Sequence, residues 1–264
     1  QAQFALLADW PDADAEQLPG DAALLAEALL QLAALNALHP RPGMPPRFIL
    51  LQRPRRFSAS EQRWIGWERK RGKLEQLVDA LASGHQAAFL DLGSASRLVP
   101  GTPYIVTLDA DTQLPPGRLR ELVSVAAHPC NQPVVDAALR RVVSGAGIVQ
   151  PRLATPLPAA GQATRFHWLF AGQCGVDPYS AASSELYQDL FQEGSFSGKG
   201  LLHVGALQAV LADRLPEGQV LSHDLLEGCL ARCAVVSDIT LVEDAPFHAD
   251  VAVSRNHRWT RGDW

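Results

Sequence analysis

The chain has 264 residues, 47% of them hydrophobic and 19% charged, with a net charge of −5 and four cysteines. That is enough apolar material for one large core or two closely joined lobes. The acidic balance, with no Lys- or Arg-dense arm, argues against a general nucleic-acid binder, and so few cysteines argue against a disulfide scaffold, leaving reduced thiols in a cytosolic compartment as the expectation.

Strand-like runs alternate with helical ones, the pattern of a layered α/β domain. Residues 4–8 read as a strand ending in the turn-rich tip Asp9-Trp10-Pro11-Asp12. Leu and Ala at helical spacing predict a helix over 21–36, opened by Gly20-Asp21. A strand follows over 47–51, a helix over 68–81, a buried strand over 104–108 and a helix over 118–127. Strand 147–150, helices 206–212 and 225–234 and strand 235–242 complete the series. Cys229 and Cys233 then share one helix, while a zinc site would want closer clusters and a His at ligand spacing. No run of eighteen apolar residues occurs, so no span of a bilayer is expected within these residues. The opening inside an apolar strand and the abrupt end at Arg261-Gly262-Asp263-Trp264 lead us to expect an excised part of a longer protein.

Five segments carry chemistry. Asp109-Ala110-Asp111 leaves an apolar strand at its carboxyl end, where ligands of open α/β sheets gather. Two carboxylates one residue apart can face Mg²⁺ or Mn²⁺ together with phosphate oxygens, or merely form a solvated Asx turn. An EF-hand is excluded, because Gln113 stands at its fifth position and its Gly and closing Glu are missing. Glu68-Arg69-Lys70-Arg71-Gly72-Lys73-Leu74 places four cations around one glycine, suited to a diphosphate or to a solvated helix face. Ser222-His223-Asp224 stands at a helix mouth, where Asp224 either caps the helix or takes a proton from a substrate hydroxyl. The run 187–189 and 193–200, with three glycines and Lys199, reads as a flexible binding loop and lacks Walker spacing. Arg255 to Trp264 interleaves arginines with tryptophans, suiting sugar stacking and phosphate pairing or a basic amphipathic helix lying against a membrane.

The order of these segments resembles that of inverting GT-A glycosyltransferases of the cellulose-synthase type. The runs Gly66 to Leu74, Phe170 to Tyr179, Tyr187 to Phe191, Ser222-His223-Asp224 and Arg258 to Trp264 resemble more closely the cyclic β-1,2-glucan synthase family, over nearly the whole chain. The resemblance implies a GT-A-like (Rossmann-like) mixed sheet flanked by helices, its first strand lying upstream of Gln1. It implies one catalytic domain over 1–264, with a donor part to about residue 112 and an acceptor part beyond it. It places Asp9 at the uridine end of UDP-glucose, Lys70, Arg71 and Lys73 at the diphosphate, and Asp109 and Asp111 on donor and metal. Asp224 becomes the base, and Arg258 and Trp259 hold donor and glucan acceptor, with Arg255 where the wider superfamily has Gln. The expected setting is the cytoplasmic face of an inner membrane, reached through flanking segments. Three rivals remain open: a synthase of another β linkage, a hydrolase using paired carboxylates, and a silent sugar-nucleotide-binding module.

Overall fold

The computed structural model describes residues 2–157, 161, 164–170, 186–220, 222–244 and 246–263, without the side chains of 170, 262 and 263. They fall into two compact units, Gln1–Thr102 and Pro103–Trp264.

In the first unit the apolar run Phe48-Ile49-Leu50-Leu51 forms β2 (Phe48–Arg53), parallel to β1 (Phe4–Asp9) from Phe4↔Phe48 to Asp9↔Arg53. Ile49 and Leu51 are fully buried, whereas Phe4 and Leu6 stand exposed on β1. Helix α1 (Asp21–Leu38) is apolar all round, and none of its residues is buried. It is long and apolar enough to cross a membrane, with a mean hydropathy of 1.4 over 18 residues. That qualifies the sequence expectation, although its polar ties run sideways to the unit. Asn36 bonds the Phe48 carbonyl at 2.8 Å and accepts its N–H at 3.0 Å, and Asp21 pairs with the buried Arg55 at 2.5 Å. A hairpin of β3 (Arg56–Ser58) and β4 (Arg63–Ile65) leads into α2 (Arg69–Ser83), which buries Leu74, Leu77 and Val78 at helical spacing.

The second unit is mixed α/β. Its elements are β5 (Tyr104–Thr107), β6 (Thr112–Gln113), α3 (Arg118–Ala127), β7 (Val134–Asp136), β8 (Arg141–Ser144), β9 (Ile148–Ala154), α4 (Arg165–Phe170), α5 (Leu186–Phe191), β10 (Gly200–His203), α6 (Val204–Leu211), α7 (Asp224–Ala231), β11 (Cys233–Glu243) and α8 (Ala249–Asp263). The strand order is β5-β10-β9-β11-β6, with β9 and β11 parallel and the other pairings antiparallel. Leu122 and Ala126 of α3 pack with Val149, Leu201 and Ile239 in the core beneath it. Thr107 pairs with Gly200 and Thr112 with Glu243. The residues between Thr107 and Thr112 are therefore bracketed by the start of β10 and the end of β11.

Two expectations are corrected here. Helix α7 stops at Ala231 because Arg232 takes a left-handed φ of 58°, so Cys233 and Ala234 begin β11 and do not share a helix with Cys229. The segment 193–200 is pinned rather than flexible. Gly194 N–H bonds the Cys233 carbonyl at 2.7 Å, Ser197 N–H bonds Gln150 Oε1 at 2.6 Å, and Phe196 is 2% exposed.

Candidate active site

The site of the second unit grows from the acidic turn. Strand β5 delivers the chain to Asp109, whose carbonyl accepts the Thr112 N–H at 3.0 Å and closes a turn. Asp111 is exposed in that turn. Asp109 Oδ2 lies 3.2 Å from the Lys199 ammonium, which also lies 2.8 Å from Glu243 Oε2. Lys199 and Glu243 are buried at 6% and 4% side-chain exposure, while Asp109 is 41% exposed. Burial pulls the Lys199 pKa down, but the hydrogen bonds and charges of Glu243 and Asp109 outweigh it, and the group is held above its usual value. Arg255 of α8 reaches Glu243 at 4.0 Å and lies 4.8 Å above the Trp259 ring. Asp109, Lys199, Glu243, Arg255 and Trp259 thus form one continuous series. Arg258 is exposed on the same helix.

Asp224 comes to this place through the preceding residue of the same loop. Gly198 has φ 87°, and a Cβ there would stand 2.6 Å from Asp224 Oδ2. Only glycine fits so close a carboxylate in that conformation. Consecutive residues, Gly198 and Lys199, therefore touch Asp224 and Asp109 respectively. Asp224 is the first residue of α7 and does not cap it; the capping position is His223, whose side chain makes no cap bond. Asp224 Oδ1 is buried with no hydrogen-bond partner. Behind it His223 Nδ1 lies 2.8 Å from Glu227 Oε1 and 3.5 Å from Asp224 Oδ1. Among the described residues these three side chains are the one group of three potential metal ligands, with ligand atoms within 4.8 Å of one another, and it contains no cysteine.

The first unit holds the other predicted residues. Both oxygens of Asp9 are taken by the buried Arg53, at 2.6 and 2.9 Å, and Lys73 is 3.7 Å away. Gly66 makes room for this, since a Cβ there would meet the Asp9 carboxylate at 2.4 Å. Arg71 is 3% exposed and paired with Glu68 at 2.6 Å and Glu75 at 2.9 Å. Its guanidinium is committed inside the unit, whereas Lys70 and Lys73 are half-buried at the start of α2.

Sequence reasoning named Asp9, Asp109, Asp111 and Asp224 but gave no role to Lys199 and missed Arg53, Glu227 and Glu243. Glu243 had a findable signal: a carboxylate at the end of an apolar strand, as Asp109 is. The run Phe170 to Tyr179 and Trp264 lie outside the described side chains. The donor set of the acidic turn fits a hard divalent cation, offering two carboxylates and leaving the remaining positions to phosphate oxygens and water.

A mixed α/β unit with acids gathered at the carboxyl end of β5 has the build of an α/β enzyme domain with a ligand site at the sheet edge. No family model matches the chain. Over 261 residues, 99% of its length, it is 45% identical to the cyclic beta-(1,2)-glucan synthase NdvB of Rhizobium meliloti (strain 1021). The chain spans 9% of that protein's length.

Proposed function

We propose that the chain is the catalytic part of an inverting, GT-A-type glycosyltransferase that moves glucose from UDP-glucose to a growing β-1,2-glucan. The carrying observation is the placement of Asp224 and Asp109 against adjacent residues of one pinned loop, Gly198 and Lys199. The likeness to a glucan synthase over nearly the whole chain supports the same reading.

Asp224 is the group for the proton: a carboxylate oxygen with no hydrogen-bond partner, at a helix start, takes the proton of the acceptor 2-hydroxyl. The acceptor's hydroxyl oxygen, not the carboxylate, then bonds to the anomeric carbon as the bond to UDP breaks, turning an α-linked donor into a β-linked product. Asp111 and Asp109 would hold a divalent cation, Mg²⁺ or Mn²⁺, which would supply neutralisation of the departing diphosphate. Trp259, stacked under Arg255, offers a flat apolar face to a sugar ring, and Arg258 offers charge to phosphate. For the first unit, the resemblance assigns Asp9, Lys70 and Lys73 to the nucleotide end of the donor; Arg71 is the weaker candidate because its charge is already matched by Glu68 and Glu75. The protein would work at the cytoplasmic face of a membrane, through segments outside this chain.

The test is glucan synthesis by the full-length protein from labelled UDP-glucose, with and without Mg²⁺ or Mn²⁺. Asp224→Asn should lower the rate on the order of a hundred- to ten-thousand-fold, and methylation analysis of the product should return 2-linked glucose. Undiminished synthesis by that variant would remove Asp224 from the reaction.

A further inference from the structure

The mechanism above leaves one buried charge pair without a task. Lys199 and Glu243 are both more than nine-tenths buried and 2.8 Å apart, while the second partner of Lys199, Asp109, is 3.2 Å away and 41% exposed. The two contacts are unequal. The Glu243 contact is shorter and desolvated on both sides, so breaking it would strand a buried charge. The Asp109 contact is longer and exposed on one side, and such pairs are weak and exchangeable. Both members of the buried pair stand at strand ends that bracket the acidic turn, Glu243 by its pairing with Thr112 and Lys199 by preceding Gly200, the partner of Thr107. The ammonium is thus a permanent fixture of the sheet edge, and Asp109 is the partner that can leave.

We propose that Lys199, held by Glu243, is a positioning residue that acts as a built-in counter-ion for Asp109, competing with a divalent cation for that carboxylate and yielding it when a diphosphate arrives. A lone cation approaching Asp109 meets a carboxylate already neutralised and a positive charge a few ångströms away. A cation arriving with a nucleoside diphosphate brings oxygens that give the ammonium a new partner, so metal and nucleotide bind cooperatively. The inference rests on the assignment of Asp109 and Asp111 to the metal, and it adds an occupant of the turn that the sequence pattern did not assign.

The experiment measures free Mn²⁺ by electron paramagnetic resonance in titrations of the full-length protein, with and without UDP. In the wild type, UDP should tighten Mn²⁺ binding on the order of tenfold. Lys199→Met should bind Mn²⁺ more tightly than wild type without UDP, by a similar factor, and lose most of the UDP effect; Lys199→Arg should stay near wild type. Glu243→Gln, which leaves the ammonium to Asp109 alone, should shift Mn²⁺ binding without UDP the opposite way, to weaker. The opposed signs keep the test decisive if one variant folds poorly. Unchanged or weaker Mn²⁺ binding in Lys199→Met, or tighter binding in Glu243→Gln, would overturn the proposal. Asp111→Asn tests the underlying metal assignment separately: if it binds Mn²⁺ as wild type does, the assignment fails whatever the lysine variants show.

Discussion

At the scale of single residues, the arrangement around Asp9 shows how a carboxylate can be legible in sequence while its partner is not. Asp9 stands at a strand tip, a place that draws the eye. Arg53, at the end of an ordinary apolar strand 44 residues away, forms a bidentate pair with it and also bonds the Gln76 side chain at 2.8 Å and the Arg69 carbonyl at 3.1 Å. Its side chain is 2% exposed, so the guanidinium depends on these acceptors for its solvation. Removing one member of a buried pair leaves the other uncompensated, at about 3–5 kcal/mol. Asp9→Ala should therefore destabilise the chain by roughly that amount in urea unfolding, and Asp9→Asn, which keeps shape and one acceptor, by less. A loss below about 1 kcal/mol for Asp9→Ala would show that the pair contributes no more than an exposed one.

At the scale of elements, helix α6 is started by a histidine, and that makes it sensitive to acid. His203 Nδ1 accepts the Ala206 N–H at 3.2 Å, a cap that only the neutral ring can provide. Burial lowers the His203 pKa below its ordinary 6.5. The unfolded chain thus takes up the proton first as pH falls. The stability contributed by the cap is complete above pH 6.5 and lost progressively below it, toward the lowered folded pKa. Between about pH 7.5 and 5.5 the wild type should lose melting temperature that His203→Asn, a capping residue that does not titrate, retains. Equal losses in both would assign the acid sensitivity elsewhere. The same element shows what pattern reading recovers. Helix α3 and strand β11 were legible because each buries one apolar stripe, as Leu122 and Ala126 do on α3. Strand β5 was legible as a strand, but it is only half-buried, with Tyr104 and Val106 packed against that cluster and Leu108 exposed, where the sequence predicts a buried strand. The end of α7 was not, because a left-handed Arg232 has no sequence mark. The hairpins β3–β4 and β7–β8 were missed, being too short to show a period. The site divided in the same way. Acids placed at strand and helix ends were visible, whereas Lys199 finds Asp109 across 90 residues of chain and Glu243 finds Lys199 across 44, and only strand pairing joins them.

At the scale of the molecule, the division at Thr102/Pro103 makes a claim about where stability resides. The second unit contains a five-stranded sheet, a buried cluster joining α3 to three strands, and every member of the Asp109–Lys199–Glu243–Arg255 series. Among the described residues the first contains two-stranded sheets only, and its longest helix buries no residue. Two-stranded sheets are marginal by themselves, and three or more strands with an apolar face are needed for independent stability. Residues 103–264 expressed alone should therefore fold cooperatively, provided Pro103 is kept, because its carbonyl accepts the Val204 N–H at 2.9 Å. Hydrogen exchange should find the slowest amides at Ile148, Leu201 and Leu202, which are no more than 1% exposed at the centre of the sheet, and these should exchange only through global unfolding. Residues 1–102 expressed alone should show broad, weakly cooperative melting. Fast exchange at those sheet positions in the 103–264 piece would mean that the sheet depends on the first unit for its stability.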